Sequence, residues 1–277
     1  MKWELLIVRY SEIFLKSEYV RRHLTKKLSR NIKSGLKREE IDGKVKRLRD
    51  IIIVETKEIE KTINLLAHIF GIVSFSPAIK IKLQDLDSFV KKECKKLIVG
   101  KFAVRVSRKG AHEFSSNQLA AKIGEIIKRE TGAVVDLKKP QTELFLDVRD
   151  QDVYIYTQKI KGPGGIPVSS QGRVNCFVSS KEDLIACWMM LKRGCRPKIF
   201  HTGYPLDVLE RWNHGVKLEF FRVSGIDEIP REESLVVGFN LEMGNSKKLF
   251  EDKRKFLTPV IALSKEEMEE LWERINR

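Results

Sequence analysis

A chain of 277 residues with 42 % hydrophobic and 33 % charged residues is long enough for two or three domains with real cores, and it carries a net charge of +15. No apolar run approaches the ~20 residues needed to span a bilayer as a helix, Leu5–Val8 is too short for a secretory signal, and four cysteines without paired spacing fit a cytoplasmic location. The excess is +8 over residues 1–80, +6 over 81–168 and only +1 over 169–277, a split expected if the front of the chain meets a polyanion.

In chain order, Trp3–Arg9 reads as a strand. Glu18–Lys33 reads as a helix with Val20, Leu24, Leu28 and Ile32 on one face and a basic side of Arg21, Arg22, Lys26, Lys27, Arg30 and Lys33. Val45–Arg49 and Asp50–Glu55 supply strand and turn material, and Ile59–Phe70 a second helix ended by Gly71. This succession predicts a small α+β sandwich, with Gly71–Pro77 as a boundary. Beyond it come helix Leu86–Leu97, strand Phe102–Ser107 and helix Asn117–Glu130, capped by Ser115 or Ser116 and closed at Thr131-Gly132. Strands follow at Val134–Leu137, Glu143–Val148 and Asp152–Gln158; Leu144, Leu146 and Val148 share one face.

The glycine- and proline-rich stretch that starts at Lys161 is a joint. After it, apolar strands alternate with helices, which predicts a parallel covered sheet: strand Val174–Val178, helix Leu184–Arg193, strands Lys198–His201, Lys217–Arg222 and Ser234–Phe239, and helix Lys265–Arg274 capped by Ser264. Domains are therefore expected at 1–76, 77–168 and 169–277.

A strand, a tight loop and a helix form a ready place for a phosphate, because the free amides of the first helical turn point at the anion. Here Val178 ends the strand and Ser179–Asp183 is the expected loop, but it has none of the glycines that let backbone approach oxygen. His201 and Thr202 end the next strand, where such sheets bind ligands, although a strand-end histidine satisfied by backbone is the simpler reading of His201. Gly238 allows close approach to a base or begins a turn. Asp207, Glu210 and His214 give no reason to prefer an acid–base set to a solvated surface.

Cys94, Cys176, Cys187 and Cys195 have neither Cys-x-x-Cys spacing nor histidine pairs, and are read as reduced thiols with no metal site. Cys187 has core spacing, while Cys195 stands between Arg193 and Arg196, which would lower its pKa only if the thiol were exposed. Around the 102–116 strand end, Arg105, Arg108, Lys109 and His112 can grip phosphate while Phe114 stacks on an unpaired base. The same residues also suit a charged strand edge with Phe114 in the core.

The order Arg9-Tyr-Ser-Glu-Ile-Phe-Leu-Lys16, Ile69-Phe-Gly-Ile72, Ser76-Pro77, Phe102–Ser116, Val135-Asp-Leu137 with Pro140, and Gly162-Pro-Gly-Gly-Ile-Pro-Val168 resembles one family closely. It is similar to the tRNA 4-thiouridine sulfurtransferases (ThiI), and Lys192-Arg-Gly194, His201, Leu235-Val-Val-Gly238 and Leu257–Glu267 extend the likeness. The resemblance implies an α+β ferredoxin-like domain, a THUMP domain and an α/β Rossmann-like domain of the PP-loop ATP-pyrophosphatase type. It further implies that the first two domains bind tRNA at its acceptor end, and that the third activates uridine with ATP so that sulfur replaces its oxygen.

The family's phosphate loop reads Ser-Gly-Gly-x-Asp-Ser, whereas the matching stretch here is Ser179-Ser-Lys-Glu-Asp-Leu184. Asp183 can be aligned, but the glycines are lost and Glu182 adds an anion; two unit charges ~4 Å apart repel by roughly 4 kcal/mol at an effective dielectric of 20. The family's sulfur-handling cysteine between His201 and Ser234 is absent as well.

The resemblance thus implies a tRNA-binding protein with a degenerate nucleotide site formed by Val178, Ser179, Ser180, Glu182, Asp183, His201, Thr202 and Gly238. Arg21, Arg22, Lys26 and Lys27 would clamp phosphate, helped by Arg105, Arg108, Lys109 and Lys161. Phe114 would lie near the single-stranded end, and Gly162, Gly164 and Gly165 would bend the joint towards RNA. It would present tRNA to a separate thiolating enzyme, or regulate one, and by analogy with the family it would do so as a homodimer. The alternative is an active sulfurtransferase using ATP and Mg²⁺ at Asp183 or Glu182, with Cys187 or Cys195 carrying sulfur. A THUMP module for another base modification is a third option, though no methyltransferase glycine motif is present.

Overall fold

In this computed structural model, residues 2–10, 17–239 and 255–276 are described; most of the quoted Arg9–Lys16 motif lies outside them. Two compact units interleave along the chain. The first comprises Met1–Arg9, Ile41–Ile63 and Ser74–Lys161, and the second Tyr10–Glu40, Asn64–Val73 and Gly162–Arg277.

The first unit is built on strands β1 (Leu5–Arg9), β2 (Gly43–Arg47), β3 (Ile51–Thr56), β4 (Ser74–Lys82), β5 (Phe102–Lys109), β6 (Thr142–Arg149), β7 (Asp152–Tyr156) and β8 (Ile160–Lys161). They form one sheet in the order β2-β3-β1-β4-β7-β6-β5, with β8 on β4; every pairing is antiparallel except β5 with β6. Residues 71–77 do not interrupt it: Ser74–Ala78 of β4 pair with β1, and Ile79–Lys82 with β7.

Helices α3 (Leu86–Leu97) and α4 (Ser116–Thr131) bury Val90, Cys94, Ile123 and Ile127 with Leu144, Leu146 and Val148, the face that alternation along β6 marks as apolar. Ser115 is the cap of α4, in a reciprocal capping box with Gln118, and Gly132 closes the helix in the left-handed conformation. The expected strand Val134–Leu137 reduces to a single bridge between Val135 and Phe102; Asp136 instead folds its carboxylate onto the amides of Lys138 and Lys139.

The second unit contains α1 (Glu18–Arg38), the last residues of α2 (Ile59–Leu66) from Asn64 on, and a parallel sheet. That sheet holds β9 (Arg173–Val178), β10 (Arg196–His201), β11 (Glu219–Arg222), β12 (Leu235–Val236) and β13 (Phe256–Leu257) in the order β11-β10-β9-β12-β13. With them run α5 (Lys181–Lys192), the short α6 (Asp207–Glu210) and α7 (Lys265–Asn276), which starts at the expected Ser264 cap.

Helix α2 ends at Leu66, before the expected Phe70, because Phe70 leaves the helix to enter the core of the second unit. There its ring stacks on Trp212 at 5.0 Å and meets Trp188 edge-on at 5.4 Å. Gly71 is then not a helix cap; its amide donates to Gly164 O at 2.8 Å.

His214 lies in the same unit, and burial rather than solvation is its state: it is 4 % exposed. Burial, aided by Arg38 and His68, holds its pKa near 3 against an ordinary 6.5. The unfolded chain therefore takes up this proton first as pH falls below about 6.5, so the contribution is intact above that pH and is lost towards 3. At pH 5 the loss should be about 2 kcal/mol relative to His214→Gln, read from urea unfolding of both proteins at pH 7.5 and 5. Parallel pH profiles would refute it.

Candidate functional site

The five-residue loop expected between β9 and α5 is in fact two residues, Ser179 and Ser180, because α5 starts at Lys181. Ser180 caps the helix, its Oγ accepting from Asp183 N at 3.2 Å. The Asp183 carboxylate turns back into the loop. Its Oδ2 accepts from Ser179 N at 3.0 Å, Ser179 Oγ at 2.8 Å and Ser180 Oγ at 3.1 Å, and its Oδ1 accepts from the buried Gly238 N at 2.6 Å.

The position that favours an anion is thus filled by the chain's own carboxylate. Gly238 is needed for that closure, since a Cβ there would run into Asp183 N and the Glu182 carbonyl carbon. Lys181 does not offset Glu182. Its ammonium is 2.6 Å from Glu269 Oε1 and lies over the Trp272 ring.

His201 stands in register with Val178 at the same end of the sheet; its Nδ1 accepts from Gly203 N at 3.2 Å, and Thr202 is exposed beside it. The structure brings Val178, Ser179, Ser180, Asp183, His201 and Gly238 to the carboxyl ends of β9, β10 and β12. Within this loop, two backbone amides and both serine hydroxyls are committed to the Asp183 carboxylate. The signal was in the sequence, since Ser180-Lys-Glu-Asp183 has capping-box spacing.

Cys176 and Cys187 are fully buried, and burial together with Cys187 pushes the Cys176 thiol well up. Cys195 is also buried, and its thiol is raised rather than lowered, because desolvation outweighs Arg193. Among the described residues, no group of three or more His, Cys, Asp or Glu is placed to hold a metal ion.

Of the cations assigned to phosphate, Arg21, Arg22, Lys26 and Lys27 ride on α1 in the second unit, with Arg22 exposed and 2.6 Å from Glu18. Arg105, Arg108, Lys109, Phe114 and Lys161 belong to the first unit. Arg105 bonds Glu143 at 2.9 Å and Leu137 O at 2.8 Å, Lys109 is 3.4 Å from Asp50, and Arg108 and Lys161 are exposed. Phe114 is half-buried against the α3–α4 core and lines a groove of about 400 Å³.

Two of the joint glycines, Gly162 and Gly165, lie in close backbone contact with their surroundings. Gly162 is buried and its amide donates to Val73 O at 2.8 Å, while a Cβ on Gly165 would strike Lys192 O. Gly164 has a left-handed φ of 71° and donates to Ile72 O at 2.7 Å.

Residues 5–76 match the ThiI ferredoxin-like domain and residues 78–158 the THUMP domain. The chain belongs to the ThiI family. Its third, parallel α/β part completes the expected ferredoxin-like, THUMP and Rossmann-like architecture.

A ThiI-family relative from Methanobrevibacter smithii, named a probable tRNA sulfurtransferase, is 36 % identical over 211 residues, covering 73 % of this chain and 54 % of its own. One of the same name from Saccharolobus solfataricus is 37 % identical over 240 residues, covering 80 % and 63 %. The chain thus spans between about half and two thirds of the length of these curated relatives. A crystal structure from Pyrococcus horikoshii superposes with a TM-score of 0.86 at 27 % identity, covering 99 % of this chain and all of that one. A 4-thiouridine synthetase solved with RNA and bound ATP has the same fold, with a TM-score of 0.79 at 20 % identity over 99 % of this chain and 86 % of that one. No described helix is long and apolar enough to cross a membrane.

Proposed function

We propose that this ThiI-family chain acts in tRNA thiolation by binding and presenting tRNA, with an α/β part that does not capture ATP. The observation that carries the second half is the Asp183 carboxylate, which occupies the donors a phosphate would need. The first half is supported by the THUMP match and by the charge excess over residues 1–168. The acceptor end of tRNA, a separate thiolating enzyme and a homodimer belong to the same proposal, as do domain boundaries near 76 and 168.

A second reading, an active ATP-dependent sulfurtransferase, is favoured by the names of the relatives. The full chain is incubated with unmodified tRNA, ATP, Mg²⁺ and a sulfur donor, and the digested RNA is analysed by mass spectrometry. The expected result is no thiouridine, alongside tRNA binding in a filter assay. Thiouridine that disappears in a folded Asp183→Asn variant would establish the second reading.

A further inference from the structure

The face of the first unit's sheet opposite Leu144, Leu146 and Val148 carries an unexplained group of cations. Register sets Arg105, Phe145 and Tyr156 in one row across β5, β6 and β7. Phe145 and Tyr156 stack at 4.9 Å with their planes 9° apart. A cation caps each ring: the Arg9 guanidinium sits 4.7 Å from the centroid of Tyr156 and the Lys159 ammonium 4.1 Å from that of Phe145. Arg105, Phe145, Tyr156 and Lys159 line an open depression of about 650 Å³.

Among the described residues, the carboxylates beside these three cations are Glu143, already bonded to Arg105, and Asp147, held by Arg149 at 3.2 Å. Arg9 uses Nη1 on Ser76 Oγ at 2.9 Å, but its Nη2 is buried with no hydrogen-bond partner among the described residues. A buried donor left unmade is costly, and an incoming anion removes the cost. Crowding is also felt at Lys159, whose pKa is pulled down first by burial and then by Arg9, with Arg105 adding to it.

We propose that this row is a phosphate site for single-stranded RNA, in which Arg9, Arg105 and Lys159 hold the backbone and the aromatic pair orients the two outer cations. The assignment deepens the tRNA-binding reading and rests on it.

The test uses the full chain and a fluorescein-labelled single-stranded RNA octamer, with labelled AMP in equilibrium dialysis as a second probe. Lys159→Gln alters an exposed side chain, Arg105→Gln is the second variant, and Lys92→Gln on α3 is the charge control. Octamer affinity should fall about tenfold in each of the first two, and the log–log salt slope by ~0.7 per cation removed, with little change in the control. Octamer binding by both variants equal to that of the control overturns the site while leaving the tRNA reading standing. If the wild-type chain binds neither octamer nor tRNA, the tRNA reading fails. AMP retention lost in Lys159→Gln then assigns the site to a free nucleotide, and its persistence in that variant, or no AMP binding at all, overturns the site too.

Discussion

Asp183→Ala is expected to lower the unfolding free energy of the chain by about 3 kcal/mol, because it strands buried donors at the start of a helix. Four groups donate to this carboxylate, and two of them, the amides of Ser179 and Gly238, cannot rotate away. Water can reach the exposed Ser179, but Gly238 is buried, so most of the cost falls where β12 meets α5. Asp183→Asn keeps one acceptor oxygen and should lose about half as much. Urea unfolding of the full chain measures both. A loss below ~1 kcal/mol in the alanine variant would mean that the carboxylate is dispensable to the loop and does not bar a triphosphate from it.

Binding of tRNA should weaken roughly 500-fold between 50 and 200 mM monovalent salt if about five cations meet phosphate, since each contributes ~0.9 to the log–log slope. Lys26 and Arg108 are exposed and Lys27 is half-exposed, so changing them to glutamine leaves the cores untouched. The triple variant Lys26→Gln, Lys27→Gln and Arg108→Gln should reduce the slope by about 2.7. Filter binding across a salt series gives the slope directly. An unchanged slope in a variant that folds normally would remove α1 and the β5 end from the interface.

What the sequence disclosed and what it hid divide along physical lines. Helices α3 and α4 were legible because their apolar positions repeat at helical spacing and their ends carry local signals, as Ser115 and Gly132 do. The parallel sheet was legible because a strand covered on both faces is mostly apolar, as Val174, Cys176, Phe177 and Val178 are around Asn175. The stop of α2 at Leu66 was hidden, because Phe70 obeys a tertiary demand that helical spacing does not encode. Cys195 stayed open for a related reason: neighbouring arginines are visible in the sequence, whereas the burial that raises its thiol is not.

The Asp183 closure was half legible, in the Ser180–Asp183 spacing but not in its reach to Gly238 across 55 positions. The row of Arg105, Phe145 and Tyr156 is the other face of an alternation read for its apolar side alone; only strand register aligns the three.

The interleaving of the two units has a consequence for how the polypeptide matures. Helix α1 is made early, yet Asn31 bonds Val168 O, and Arg38 bonds the carbonyls of Glu210 and Asn213, partners between 137 and 175 positions downstream. These contacts are unavailable until most of the chain has left the ribosome, whereas every segment of the first unit is present by residue 161. Acquisition of structure should therefore be staged, with a long-lived species whose sheet is assembled and whose early helix still awaits its carboxyl-terminal partners.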